Sequence, residues 1–271
     1  MDIRDPIACA ATLERLKPTH IIHLAAISHV PTSFRDPLLT WNTNVIGSLN
    51  LLEAIKQKVP DAFVVFASSS EVYGEAFKAG TALDETSPCL PMNPYAASKL
   101  AAELAFKQYF KQGIRGVIAR PFNHIGSGQS PDFVTASFAR QIALIESGKQ
   151  APVMQVGNLQ ACRDFLDVWD VCSAYLRLLE LSDGRDHPHV LNIASGQARK
   201  IQEVLDEMIS QSTAVISVEL DPQRLRPSDI PFAVGNAEGI REVLGWQPTI
   251  PFKETLASLL ADWRMRVVTE Q

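Results

Sequence analysis

The 271-residue sequence predicts an α/β protein, a doubly wound parallel sheet followed by a smaller mixed lobe. Three observations predict it. Short apolar runs that end in small residues, "HIIHLAA" (20–26), "AFVVFASSS" (62–70) and "GVIARPFN" (116–123), read as strands buried on both faces. Long helical patterns lie between them, which is the alternation of βαβ units. After Gly126 that alternation gives way to shorter, irregular pieces.

Taken in order, an acidic turn and a helical pattern in "MDIRDPIACAATLERL" precede the strand at 20–26. A long helix at about 37–58 follows, with Val45, Leu49, Leu52 and Ile55 on one stripe, and then the strand at 62–70. A helix from about Pro94 to Lys111 leads into the strand at 116–123. Beyond it come a helix around 133–147, a short strand near 153–156, and "RDFLDVWDV" running into another helix. "VLNIASG", a helix at about 201–211, the proline-rich "LRPSDIP" and a helix from roughly 251 to 268 complete the chain. Residues 1–125 are thus expected to carry the sheet. Residues 126–271 mainly form a lobe packed on the carboxyl ends of its strands, where such folds place ligands, with some segments returning to the sheet.

Bulk properties narrow the function. A net charge of −5 with dispersed basic residues argues against nucleic acid as a partner. No apolar segment follows a basic start, so no secretory signal is expected, and the apolar runs fall far short of the ~18 residues a membrane span needs. Cys9, Cys89, Cys162 and Cys172 show neither metal-like nor redox-like spacing, which predicts reduced thiols in a cytoplasmic protein. The "HPH" at 187–189 has no third ligand in view, and no metal site is expected.

The chemistry lies in two stretches. In "NPYAASK", Tyr95 and Lys99 stand four residues apart on a helix, hence on one face. An ammonium beside a phenol favours the phenolate, so Lys99 is expected to lower the pKa of Tyr95 and let it exchange a proton with a carbinol or carbonyl oxygen. "FASSSEVYG" ends a buried strand and presents Ser68, Ser69, Ser70 and Glu71 at the carboxyl edge of the sheet, where a hydroxyl can bond the same oxygen. Alone, the serines read as turn chemistry and the tyrosine–lysine pair as a surface pair. Strand, serine cluster and tyrosine–lysine helix in that order point to a site.

With "HLAA", "NTNVIGSLNLLEA", "ARPFNHIGSGQ", "GNLQACRDFLDVWD", "LNIASG", "RPSDIP" and "LGWQP", these stretches resemble the extended short-chain dehydrogenase/reductases that act on nucleotide-linked sugars. The likeness covers nearly the whole chain. It implies a Rossmann-like dinucleotide-binding domain over 1–125 and a nucleotide-sugar lobe over 126–271, with NADP or NAD as cofactor. By this likeness Ser69, Tyr95, Lys99 and Glu71 match the catalytic positions. Asp2, Ile3, Leu24, Ala25, Ala26 and Asn44, with Tyr95 and Lys99, match cofactor-binding positions; Ser70, Asn123, Arg163 and Arg226 match substrate-binding ones. Arginine forks suit a diphosphate. The sugar-lobe motifs look most like those of reductases acting on a GDP-linked 4-keto-6-deoxyhexose, and next like GDP-mannose dehydratases. Reduction at C4 to give GDP-rhamnose is the expected reaction, with dehydration or epimerisation of a nucleotide-sugar as the alternative. Glu71 keeps the carboxylate that dehydratases use, without the threonine before it, and does not decide between them. Relatives often dimerise through the two long helices, so a homodimer is expected.

One part of the family pattern is missing from the sequence. The glycine-rich fingerprint that joins the first strand to the first helix is absent, and Gly126 and Gly128 follow a late strand. The likeness places Met1 at the end of the family's third strand, which would leave out two strands and their helices, on the order of 50 residues. On this reading the sheet lacks its first two strands and the strand at 20–26 lacks a neighbour. A short form without catalysis that only binds nucleotide-sugars is the alternative reading of another class.

Overall fold

The computed structural model describes residues 1–184, 186–225 and 230–269. The first half comprises α1 (Pro6–Leu16), β1 (His20–His23), α2 (Val30–Arg35), α3 (Pro37–Trp41), α4 (Gly47–Lys58), β2 (Phe63–Ala67), α5 (Pro94–Lys111), β3 (Arg115–Pro121) and β4 (Asn123–Ile125). The second comprises α6 (Val134–Glu146), β5 (Val153–Val156), β6 (Cys162–Arg163), β7 (Phe165–Asp167), α7 (Val168–Leu178), β8 (Val190–Ile193), β9 (Arg199–Lys200), α8 (Ile201–Ser210), β10 (Ser217–Leu220), β11 (Phe232–Ala233), α9 (Glu238–Leu244) and α10 (Phe252–Thr269).

Local chemistry sets the boundaries. Asp5 starts α1 by accepting from the amides of Ile7 and Ala8, and Lys17 in the left-handed region, at φ 45°, stops it. The expected helix at 37–58 is interrupted by a π turn over Asn42–Ile46, in which the Gly47 amide donates to the Asn42 carbonyl. The extra residue per turn shifts the inward face. Asn44, Gly47, Ser48, Leu51, Leu52, Ala54 and Ile55 are buried, while Val45 and Leu49 of the predicted stripe are half-buried. Gly47 is tied to its glycine by space, because a Cβ there would meet Ile3 Cδ1 at 2.7 Å.

The main sheet has four parallel strands in the order β1-β2-β3-β8. Period-two alternation sends Val64, Phe66 and Ile118 to the face covered by α1, α4 and α5, where Leu13, Leu52 and Phe106 complete a core. Phe63, Val65, Ala67, Val117 and Ala119 face the other way, under Val171 and Leu178 of α7 and Ile240 of α9. Helices on both faces make the fold doubly wound, as predicted. Burial of each large side chain there contributes about 1.5–3 kcal/mol.

A third core packs Phe138 and Ile142 of α6, Leu205 of α8 and Trp263 of α10 beside β5. The strands around it form small sheets, β4-β7, β5-β10 and β11-β6-β9. The predicted strand at 116–123 is split at Phe122 between β3 and β4, which belong to different sheets. Asp164, fully buried, ties this region together. Its carboxylate accepts from the Ser195 amide (2.9 Å) and hydroxyl (2.6 Å), the Gly196 amide (2.9 Å) and the Gly235 amide (3.2 Å).

Candidate active site

The carboxyl ends of β2 and the amino end of α5 meet over the sheet. Asn93 caps α5 by accepting from the Ala96 amide at 2.8 Å, and Pro94 at the first helical position fixes the entry angle. Its Nδ2 donates to Glu71 Oε2 at 3.1 Å, which stitches the helix start to the tip of β2. Tyr95 and Lys99 follow one turn apart on the inner face, 7% and 4% exposed.

The three serines after β2 divide their work. Ser68 donates to Glu103 Oε1 on α5 at 2.5 Å. Ser69 accepts from the Glu71 amide at 3.2 Å, and its hydroxyl lies close enough to hydrogen-bond the Tyr95 phenol and pull its pKa down. Ser70, buried, opens a short 3-10 turn that runs to Tyr73.

The electrostatics differ from the expectation. Burial pushes the Tyr95 phenol up to about 12; Ser69 opposes this and the Glu71 carboxylate adds to it. Lys99 does not act on the phenol as the spacing suggested, because its ammonium donates to the Ala67 carbonyl at 2.7 Å and sits over the Phe66 ring at 5.1 Å. Burial lowers the lysine to about 8, and Glu103 pulls it back up. Tyr95 is therefore a phenol with a proton to give.

The remaining predicted residues fall in several places. Asn44 is buried in the π turn, where it accepts from the Ile27 amide (2.8 Å) and donates to the Ile27 carbonyl (3.0 Å) and Ser98 Oγ (2.9 Å). It fastens the loop after β1 to α5, a task the sequence did not disclose. Leu24 and Ala25 are exposed just past β1, and Ala26 is half-buried. Asp2 is exposed and paired with Arg4 at 2.6 Å, while Ile3 is buried against α4 and donates no edge to the sheet. Asn123 is exposed and donates to the Asp164 carbonyl at 3.3 Å. Arg163, half-buried, donates to the carbonyls of Cys162 (2.9 Å) and Ile230 (2.7 Å). Arg226 lies outside the described residues.

Sequence reasoning missed Glu103, Arg120 and Asp164. A carboxylate on the inner face of an alanine-rich helix and an arginine inside "GVIARPF" were the available signals for the first two. Among the described residues no cluster of three metal-ligating side chains occurs.

The profile of the GDP-mannose 4,6 dehydratase family matches residues 1–259. The chain belongs to this family. It is 41% identical to the GDP-6-deoxy-D-mannose reductase of Pseudomonas aeruginosa over 254 residues, covering 93% of this chain and 83% of that protein. GDP-mannose 4,6 dehydratase 2 of Arabidopsis thaliana is 31% identical over 270 residues, 96% of this chain and 69% of the relative. Among solved structures, RMD from Pseudomonas aeruginosa complexed with NADPH superposes with a TM-score of 0.89 at 39% identity, over 98% of this chain and 87% of that one. UDP-glucose 4-epimerase of Thermus thermophilus, in complex with NAD, gives 0.84 at 29% identity, over 97% and 83%. The family is thus one of NAD(P)-dependent nucleotide-sugar enzymes, and the buried serine–tyrosine–lysine cluster stands where this chain's β2 and α5 meet.

Proposed function

We propose that the chain reduces the C4 ketone of a GDP-4-keto-6-deoxyhexose with NAD(P)H, forming GDP-rhamnose. The observation that carries this reading is Tyr95, a buried phenol that keeps its proton at neutral pH and has Ser69 beside it. A ketone reduction needs a proton delivered to the developing alkoxide, and a phenol held protonated suits that direction. Tyr95 gives the proton to the C4 oxygen, and Ser69 Oγ donates to the same oxygen and fixes its position.

The residues fit the nicotinamide end of a dinucleotide. Lys99 spends one donor on the Ala67 carbonyl, which leaves donors of the buried ammonium for a ribose hydroxyl. The exposed Leu24 and Ala25 past β1 offer an apolar wall. Asn44 acts on the loop beside them rather than on a ligand. When bound, the reduced cofactor supplies the hydride to C4. Among the described residues no glycine-rich turn joins a strand to a helix start, so no pyrophosphate contacts are assigned. Asn123, Arg163 and Arg226 are proposed to meet the nucleotide-sugar.

A second reading, dehydration of GDP-mannose, is favoured by Glu71, whose carboxylate is held by Asn93 and acts on Tyr95. Two assays separate them. Oxidation of added NADPH with the GDP-linked 4-keto-6-deoxy sugar establishes the reductase. Conversion of GDP-mannose to a ketone with no net cofactor change establishes the dehydratase and rejects the first reading.

A homodimer is part of the proposal. Phe34, Leu38, Trp41, Ile46 and Leu104, on α2 through α5, leave 41–82% of their surface in water. A second copy of this chain covering them gives a dimer that Leu104→Glu should weaken, read by light scattering. A cytoplasmic location is proposed from the four cysteines, all free. Among the described residues no helix is long and apolar enough to cross a membrane.

A further inference from the structure

Behind the proton-handling residues lies a charged cluster that the reaction above does not use. Glu103, with no exposed surface, stands one turn beyond Lys99 on α5. Arg120, near the carboxyl end of β3 and 2% exposed, grips it with a fork, Nε to Oε1 at 2.9 Å and Nη2 to Oε2 at 2.7 Å. The same carboxylate accepts from Ser68 Oγ at 2.5 Å, and Lys107 Nζ lies 3.8 Å away at the rim. The Arg120 guanidinium stacks over the Tyr73 ring at 4.8 Å, and Tyr73 donates to Asn192 Oδ1 on β8 at 2.7 Å. The cluster therefore runs from the catalytic helix through β3 to β8.

Such a pair is costly for stability alone. Desolvating two ions in a core often exceeds their attraction, and apolar residues of equal volume commonly stabilise such a site. Here Arg120 also leaves Nη1 without a partner among the described residues. An ion pair of this kind in a mostly apolar sheet calls for a task beyond packing.

Geometry supplies one. We infer that Glu103 is a positioning residue: its charge holds Lys99 in the ammonium form, and its bond to Ser68 fixes the strand tip that carries Ser69. The groups around the ammonium come from several elements. On α5 itself they are Tyr95 and Glu103; on β1, His23, which burial and the lysine charge hold down at about 3 and hence neutral. On β2 they are the Ala67 carbonyl and the Phe66 ring, neither charged, and His23 in turn bonds Ser48 of α4. Arg120 on β3 lies behind the carboxylate. Glu103 is thus the anion that offsets the cost of burying the lysine. Ser68 precedes Ser69, and its own amide is fixed to the Ala119 carbonyl at 2.8 Å, so both ends of Ser68 are held.

The inference rests on the reductase reading for its kinetic consequence alone. The decisive measurement is NMR titration of full-length protein carrying ¹³Cε,¹⁵Nζ-lysine, with the Lys99 signal assigned by its loss in Lys99→Met. In Glu103→Gln the Lys99 transition is expected to move down by about one pH unit or more. Should that variant fail to fold, Glu103→Gln/Arg120→Met is titrated instead; it removes the cation as well as the carboxylate, so a smaller move in the same downward direction is expected. An unmoved Lys99 transition in whichever variant folds overturns the inference. In kinetics, the alkaline limb of turnover should shift with the lysine, giving about a tenfold loss at high pH and little change near pH 6. An unshifted limb likewise counts against it. Wild-type protein that fails to reduce the keto sugar rejects the proposed function instead, and leaves the lysine titration to stand or fall by itself.

Discussion

Strands β2 and β3 run five and seven residues, and from Phe63 to Ala67 and Gly116 to Pro121 every residue is buried. Strands β6 and β9, in the other lobe, run two residues each and are half-buried. The first region holds its functional side chains by contiguous ladders and by helices laid on both faces. The second has too little ladder for that and relies on buried or half-buried carboxylates. Asp164 gathers Ser195, Gly196 and Gly235; Asp170 accepts from the amides of Thr249 (3.0 Å) and Ile250 (3.1 Å); Glu146 pairs with Arg264 at 2.7 Å. The proposed proton chemistry, which tolerates little misplacement, stands on the stiff region. Recognition of a long substrate is assigned to the region stapled point by point.

The sharpest way to break this contrast is Tyr95→Phe. Turnover should fall about 10²- to 10⁴-fold, while GDP-sugar affinity measured by calorimetry stays within the wild-type range. A parallel loss of affinity would mean that one region does both jobs. Next in size is Asp164→Ala. Several buried donors lose their acceptor at once, and urea unfolding should show about 3 kcal/mol less stability. A loss below about 1 kcal/mol would mean that the short strands hold the lobe without the staple.

Asn44→Ala sharpens the other side. It frees the amide and carbonyl of Ile27 and the Ser98 hydroxyl, with an expected cost of about 1–2 kcal/mol in denaturation. Amide exchange should quicken at Ile27 and stay slow in β2. The smallest effect belongs to Glu146→Gln. Arg264, its first influence, and hydrogen bonds hold the Glu146 carboxyl below its ordinary 4.5. A depressed acid contributes stability above its unfolded pKa and loses it as pH falls through the folded value. The wild-type advantage over the variant should thus be present at neutral pH and fade below pH 4.5. With Arg264 40% exposed, solvent screening keeps it under about 1 kcal/mol.

The contrast also explains what the sequence disclosed. Periodicity located α5 over residues 94–111 and β5 over 153–156 because long amphipathic helices and short apolar strands write their period directly into the chain. It could not show the π turn, since one residue added to a helix changes no composition; Val45 was assigned inward where Asn44 turns in. Tyr95 and Lys99 were legible as neighbours. Their coupling was not, because whether an ammonium faces a phenol or a backbone carbonyl depends on where β2 ends. Glu103 and Arg120 find each other from α5 and β3, a pairing that no local pattern records.

The π turn has a further consequence for how this chain tolerates change. A substitution within Asn42–Ile46 alters only the contacts of that side chain, but deleting a single residue there would let the helix wind regularly and swing everything upstream by roughly a quarter-turn or more. Asn44 would leave Ile27, and the segment from α2 to α3 would present a different side to α5. At this point the chain is fixed by its count of residues rather than by their kinds. Length variation should be harder to accommodate in these five positions than in the polar loop around His187.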